Sequence, residues 1–256
     1  MDYPGRFPLL FRRHWPIRGM ADAIDAVEVG EVCREYRELG ELAPTRTREL
    51  RYLVGHEGIP SSSARSNRRE EHIAIALVNL DQRWSFDGLG EFAFLDYQLP
   101  LKAKRSDIGI GKVDLLGLAR QGQLLVVELK VTGHTGGRSD PPIVALLEGL
   151  RYAAILVANL ARLSEEVRLA TGSTLSEHAA PDVVVLGERS WWQTWRNVKD
   201  GSAALSALGR FADGIRGQLG LALHFAEMAD VSLTYGRDGA APQLDTAPDF
   251  RRVEFP

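Results

Sequence analysis

GKVDLLGLARQGQLLVVELKV, residues 111–131, holds two apolar, β-branched runs, Val113–Ala119 and Gln123–Val131, on either side of Arg120-Gln121-Gly122. The triplet has the composition of a three-residue hairpin loop. Its glycine comes last, where the left-handed conformation that closes the turn meets no Cβ clash. A turn centred on Gln121 sets Asp114 opposite Glu128, and side chains opposed in this way lie roughly 5 Å apart on one face. Because side chains alternate along a strand, Lys130 shares the face of Glu128. Two carboxylates and an ammonium thus converge on a strand pair that is otherwise apolar.

Burying such a trio without compensation costs several kcal/mol or more per isolated charge. A divalent metal between the carboxylates is the simplest remedy. A few hard oxygen ligands with room for water suit Mg²⁺ better than Zn²⁺. The plainer alternative is a partly exposed salt bridge near a sheet edge. Lysine usage bears on the choice: only 5 of the 31 basic residues are lysine, and four of them fall at Lys102, Lys104, Lys112 and Lys130. Retaining Lys130 in an arginine-rich chain suggests a need for a compact ammonium whose pKa burial can tune, which arginine does not offer.

Asp114, thirteen intervening residues and then Glu128-Leu129-Lys130 resembles the signature of the PD-(D/E)XK nuclease superfamily, with Val113 where the family has proline. The resemblance implies an α/β, restriction-endonuclease-like core. Its order would be helix–three strands–helix–strand, laid over about residues 66–190, with a mixed central sheet flanked by helices. It further implies a Mg²⁺-dependent phosphodiesterase (Mn²⁺ substituting) acting on nucleic acid, with DNA the expected partner and a homodimer an allowed assembly. Asp114 and Glu128 would hold the metal, with the Leu129 carbonyl as an extra ligand. Lys130 would orient the attacking water and neutralise transition-state charge, so Lys130→Met is expected to abolish turnover and leave folding intact. The first core helix of the family carries a glutamate that completes the site. Glu70 is the geometric choice, since it lies nearer the apolar side of the helix, and Glu71 is its rival; an acidic residue answering the helix dipole explains Glu70 equally well. Glu148 and Tyr152, one helical turn apart, resemble the Gln-x-x-x-Tyr pair of the exonuclease branches, with glutamate replacing glutamine, and are expected to face substrate.

Lys102, Lys104 and Arg105 form a short basic cluster that would attract backbone phosphates, or simply a solvated loop. Two rival functions stay open: a silent interaction module on the same fold, and a metal-dependent hydrolase of another phosphoester.

At 256 residues, 45% hydrophobic and 25% charged, the chain is of ordinary globular composition. A net charge of −3 does not announce a polyanion binder, so attraction to nucleic acid would need a local basic surface. Cys33 is alone, which excludes an internal disulfide or a multi-cysteine zinc site and fits a reducing cytosol. Neither a signal peptide nor an 18-residue apolar run is evident, so a cytoplasmic location without membrane association is expected.

Residues 1–60 read as an N-terminal helical extension, irregular to residue 19 and then two helices broken at 40–45; residues 61–256 read as the nuclease-like domain. Gly58–Asn67 has linker composition. Ser66 or Asn67 is expected to cap a helix from Arg68 to about Gln82, with Glu70 completing a capping box. Phe92–Leu101 is the expected first core strand. A glycine-rich loop with His134 and Arg138 follows Val131, and a long helix runs from Ile143 to about Leu163. A buried strand is expected at Pro181–Gly187. Trp191, Trp192 and Trp195 follow it, spaced as core residues or as a platform for bases. A helix at 201–219, strands at Leu221–Met228 and Val231–Tyr235 extending the sheet, and a surface tail from Gly236 complete the reading.

Overall fold

The computed structural model describes residues 1–54, 68–132, 140–176, 180–235 and 241–256. In chain order the elements are α1 (Tyr3–Arg6), α2 (Met20–Asp25), α3 (Val29–Glu41), α4 (Arg69–Asn79), β1 (Arg83–Phe86), β2 (Gly90–Pro100), β3 (Lys112–Ala119), β4 (Leu124–Lys130), α5 (Pro142–Val157), α6 (Leu160–Thr171), β5 (Asp182–Glu188), α7 (Arg189–Asn197), α8 (Gly201–Leu219), β6 (Leu223–Met228), β7 (Leu233–Thr234), β8 (Gln243–Leu244) and β9 (Phe250–Arg252). The protein is α/β, with a mixed seven-stranded sheet in the order β1-β2-β3-β4-β5-β6-β9. β1 to β4 form an antiparallel meander, β4, β5 and β6 run parallel, and β9 returns antiparallel to β6.

The β3–β4 hairpin turns as its composition dictates. Gly122 sits at φ +80°, and Ala119 both donates to Gln123 and accepts from Gly122. Leu115 pairs with Val127 and Leu118 with Leu124, the register of a turn centred on Gln121. β4 is buried along its whole length because helices cover both faces of the sheet. One apolar cluster unites α2, α3, α5, α7 and α8 with one sheet face, and it includes Tyr3, Phe7, Leu10 and Tyr52 from the N-terminal segment. The other cluster sets α4 against aromatic side chains of β1, β2 and β9. α5 is apolar nearly all round and buried except at its last residue, as a central helix must be.

Several expectations need correction. The long helix breaks after Val157, and α5 and α6 diverge by 88°. Asn159 sits at the break, its amide donating to the carbonyls of Ile155 and Pro44. The first helical break of the N-terminal region falls at residues 26–28, and nothing after Glu41 is helical up to Val54; Pro44 disfavours helix in the residue before it. Residues 3–6 form a single helical turn instead of irregular chain. Arg68 occupies the cap of α4 and makes no side-chain cap bond; the expected caps Ser66 and Asn67, and with them the capping box to Glu70, lie outside the described residues, as do His134 and Arg138. An edge strand, β1, precedes the expected first strand.

The tryptophan trio is core. Trp191, Trp192 and Trp195 are at most 4% exposed, so no base can stack on them. β7 does not extend the main sheet but pairs with β8 in a separate ribbon. The tail is not a mere surface extension: β9 lies along β6, and Val253 donates to Phe225. Among the described residues no single helix is long and apolar enough to cross a membrane.

Candidate active site

The β3–β4 register ends at Leu115 with Val127, and one residue further along each strand Asp114 and Glu128 come together at the open end of the hairpin, where Asp114 also accepts from the Leu129 N–H. The two carboxyls are within hydrogen-bonding reach of each other, and Glu128 is within reach of Glu148 on α5 as well. Lys130 Nζ donates to Glu128 Oε1 at 2.6 Å and to Glu148 Oε2 at 3.1 Å. Asp114 Oδ2 accepts from the Leu129 backbone N–H at 3.0 Å, and its Oδ1 accepts from Gln98 Nε2 at 3.1 Å. All four ionisable members are at least 93% buried: Asp114, Glu128, Lys130 and Glu148. Leu129 itself turns its side chain into the opposite cluster and offers its N–H to Asp114.

Glu70 and Glu71 part ways. Glu70, half-buried in the first turn of α4, feels Asp114, Lys130 and Glu148 as its principal charged neighbours. Glu71 instead pairs with Arg68 at 3.1 Å. Residues 69 and 70 are adjacent on the helix but face different partners, and Arg69 clamps Glu188 at the end of β5 at 2.6 Å. That ion pair, with Glu188 also accepting from Thr132, holds the start of α4 against the sheet so that Glu70 points at the cluster.

Two participants escaped sequence reading. Arg151, 1% exposed, donates to Glu148 Oε1 at 2.7 Å and to the Tyr152 hydroxyl at 3.0 Å. Its place three residues after Glu148 on a helix was a usable signal. Gln98 faces Asp114 across β2 and β3 with φ +49°, a conformation that non-glycine residues seldom adopt. A bulge between Phe94 and Asp96 shifts the β2 register and delivers Gln98 to that position, and nothing local in the sequence announces the bulge. Tyr152 lies close behind the acids, with its hydroxyl against Gly111, where any side chain would collide. Lys102 and Lys104 are exposed on the loop between β2 and β3, at the same end of the sheet but outside the cluster.

Charge governs the chemistry here. Four carboxyls (Glu70, Asp114, Glu128 and Glu148) face two buried cations, Lys130 and Arg151. Burial, then Asp114, lifts Glu70 to about 8. Burial raises Asp114 to about 6 against the pull of Lys130. Burial and the charge of Asp114 hold Glu128 well above the carboxylate range. Burial also works against ionisation of Glu148, but Lys130, the hydrogen bond from Glu128 and Arg151 prevail and bring it down to about 2. Burial disfavours the Lys130 ammonium, yet Glu128, Glu70 and Glu148 outweigh it and raise its pKa. Lys130 is therefore held as an ammonium.

Among the described residues no three His, Cys, Asp or Glu side chains gather in a metal-holding group. The donor set is smaller: Asp114 and Glu128, with Glu128 Oε2 buried and receiving no N–H or hydroxyl donor, its only polar neighbours being the carboxyls of Asp114 and Glu148. When its four carboxyls are all ionised they exceed Lys130 and Arg151 by two charges, and a buried carboxylate oxygen that meets only other carboxyls then fits a hard divalent cation that keeps most of its water. The donor set does not fit zinc, which takes three or four nitrogen, sulfur or oxygen ligands from the protein.

No protein-family model matches the chain, nor does any curated protein or any solved structure.

Proposed function

We propose that the protein is a Mg²⁺-dependent phosphodiesterase of the PD-(D/E)XK type that hydrolyses nucleic acid, DNA first. One observation carries this reading: the hairpin and α4 bring Asp114, Glu128, Lys130 and Glu70 into one cluster whose carboxyls, when ionised, exceed its cations by two. With the edge strand β1 and the helix α6 as additions, the succession α4, β2, β3, β4, α5, β5 is compatible with the order of a restriction-endonuclease-like core.

Asp114 and Glu128 would hold the metal, which when bound would polarise a phosphate and lower the pKa of water. Lys130, kept charged, stabilises negative charge accumulating on the phosphorus-bound oxygens. Its ammonium is steered by Glu148, which Arg151 braces in turn. Glu70, with a pKa near 8, is suited to exchange a proton with an attacking water near neutral pH. Gln98 and the Leu129 N–H fix the rotamer of Asp114.

The test is incubation with circular and linear DNA and RNA, single- and double-stranded, with Mg²⁺, with Mn²⁺ and with EDTA. Metal-dependent cleavage that disappears in Glu128→Gln is the expected result. A second reading, the silent module, draws on Lys130 already bridging Glu128 and Glu148 as in a closed ionic core. Calorimetric titration separates the two, because the silent module takes up neither Mg²⁺ nor Mn²⁺.

A further inference from the structure

We infer that the N-terminal segment Phe11–Arg18, joined to the loop that precedes β3, is the surface that grips the phosphate backbone of the nucleic-acid substrate. This rests on the phosphodiesterase reading of the neighbouring cluster.

The two segments form one surface. Asp2 bridges to Ile108, the Ile108 N–H donates to the Met1 carbonyl at 3.2 Å, and Gly109 packs against Pro4 and Phe11. That surface borders the cluster. The Arg151 guanidinium lies 4.9 Å from the centre of the Phe11 ring, and Arg13 reaches to 3.9 Å from Glu148 Oε1. Both oxygens of Glu148 are already bonded, one to Lys130 and one to Arg151. Arg13 is beyond hydrogen-bond distance and 63% exposed, so its charge is not consumed by the acid below it.

Composition and local geometry agree on the ligand. Residues 11–18 carry Arg12, Arg13, His14 and Arg18 and no acid. The loop adds Lys102, Lys104 and Arg105, all exposed. Its one acid, Asp107, is buried and takes the backbone N–H groups of Ala103 and Lys104. On a chain of net charge −3 this is a local reversal of sign. Arg12 is held in advance: its guanidinium stacks 4.0 Å from the Trp15 ring centre, and Trp15 Nε1 donates to the Arg12 carbonyl at 3.2 Å. A stacked guanidinium keeps N–H groups at its edge for phosphate oxygens. Phosphates running along this face would pass Arg13 where it borders the cluster at Glu148, a course that an acidic protein partner would have no reason to follow.

The test measures fluorescence anisotropy of labelled single-stranded and duplex DNA oligonucleotides in EDTA across a salt series. It compares the wild-type protein with Arg12→Glu/Arg13→Glu and with Lys102→Glu/Lys104→Glu, checking folding by circular dichroism. Each retained phosphate contact contributes roughly −0.9 on duplex, or −0.7 on single strands, to the slope of log affinity against log salt. Each double variant should therefore flatten that slope by about 1.5 and weaken binding at every salt concentration. Unchanged affinity and slope in the arginine variant overturn the inference, as does a wild-type protein that binds polyglutamate but not DNA. Hydrolysis of bis(p-nitrophenyl) phosphate with Mn²⁺ reports on the site alone. If it proceeds while the variants bind DNA normally, the surface fails and the site stands; if it is absent while the variants lose DNA, the surface stands and the site fails.

Discussion

Glu70→Gln removes one carboxyl from a cluster with too many, and it should stabilise the metal-free protein. Burial and Asp114 hold the Glu70 carboxyl at about 8, against an ordinary 4.5. Between those values the folded chain retains a proton that the unfolded chain has released, so stability falls as pH rises through that window and is fully present below it. At about 1.36 kcal/mol per tenfold change in proton affinity, the loss by pH 7 would be roughly 3 kcal/mol; solvent screening of a rim side chain lowers it to about 1.5–2 kcal/mol. Glutamine does not ionise and keeps the shape. The assay is urea unfolding in EDTA from about pH 5 to about pH 8, read as the difference between variant and wild type. That difference should be near zero at the acid end and reach about 1.5–2 kcal/mol in favour of the variant by pH 7. Added Mg²⁺ should close the gap by stabilising the wild type. A variant less stable than wild type at neutral pH, or a difference that does not vary with pH, refutes the reasoning.

Lys130→Met should abolish cleavage, but the structure corrects the expectation that folding is untouched: removing the ammonium strands Glu128 and Glu148, and a loss of about 3–5 kcal/mol by denaturant unfolding is expected. Glu148→Gln should destabilise at neutral pH yet match wild type near pH 2, because a carboxyl held at about 2 lends stability above 4.5 that vanishes as pH falls through its own pKa; acid titration followed by tryptophan fluorescence tests this. Gly111→Ala should push on the Tyr152 hydroxyl and displace Arg151 behind it, lowering Tm by an amount equivalent to about 1–3 kcal/mol.

The hairpin was legible because its information is local. A glycine at the right place in a short loop sets the register, and the register sets which side chains share a face. Helical periodicity sets Glu70 nearer the apolar side than Glu71, yet Glu71 is the more buried of the two, and what places Glu70 with the cluster is its nearness to Asp114, Lys130 and Glu148. Arg151 and Gln98 belong to the same cluster but arrive by other means. One is a buried cation within an apolar helix, and the other depends on a bulge whose cause lies in how β2 meets β3. The break at Asn159 is similar: an asparagine within a helical run was visible, but its partner, the Pro44 carbonyl, is remote in sequence. The tryptophan trio could be read either as a platform or as core, and only the packing of α7 onto β5 and β6 decides for core.

β9 forms one border of the seven-stranded sheet and β1 the other, yet their aromatic rings meet, with Trp84 and Phe250 4.9 Å apart between centroids. Residues 84 and 250 thus complete a single cluster with Phe92 and Phe94. During synthesis this aromatic half stays open until Phe250 has left the ribosome, long after the hairpin bearing the acids can form. Contacts between such distant residues form slowly, and the uncovered greasy surface is then exposed to misassociation. The cradle for chemistry can be made early, while the latch that shields the opposite side of the sheet closes late.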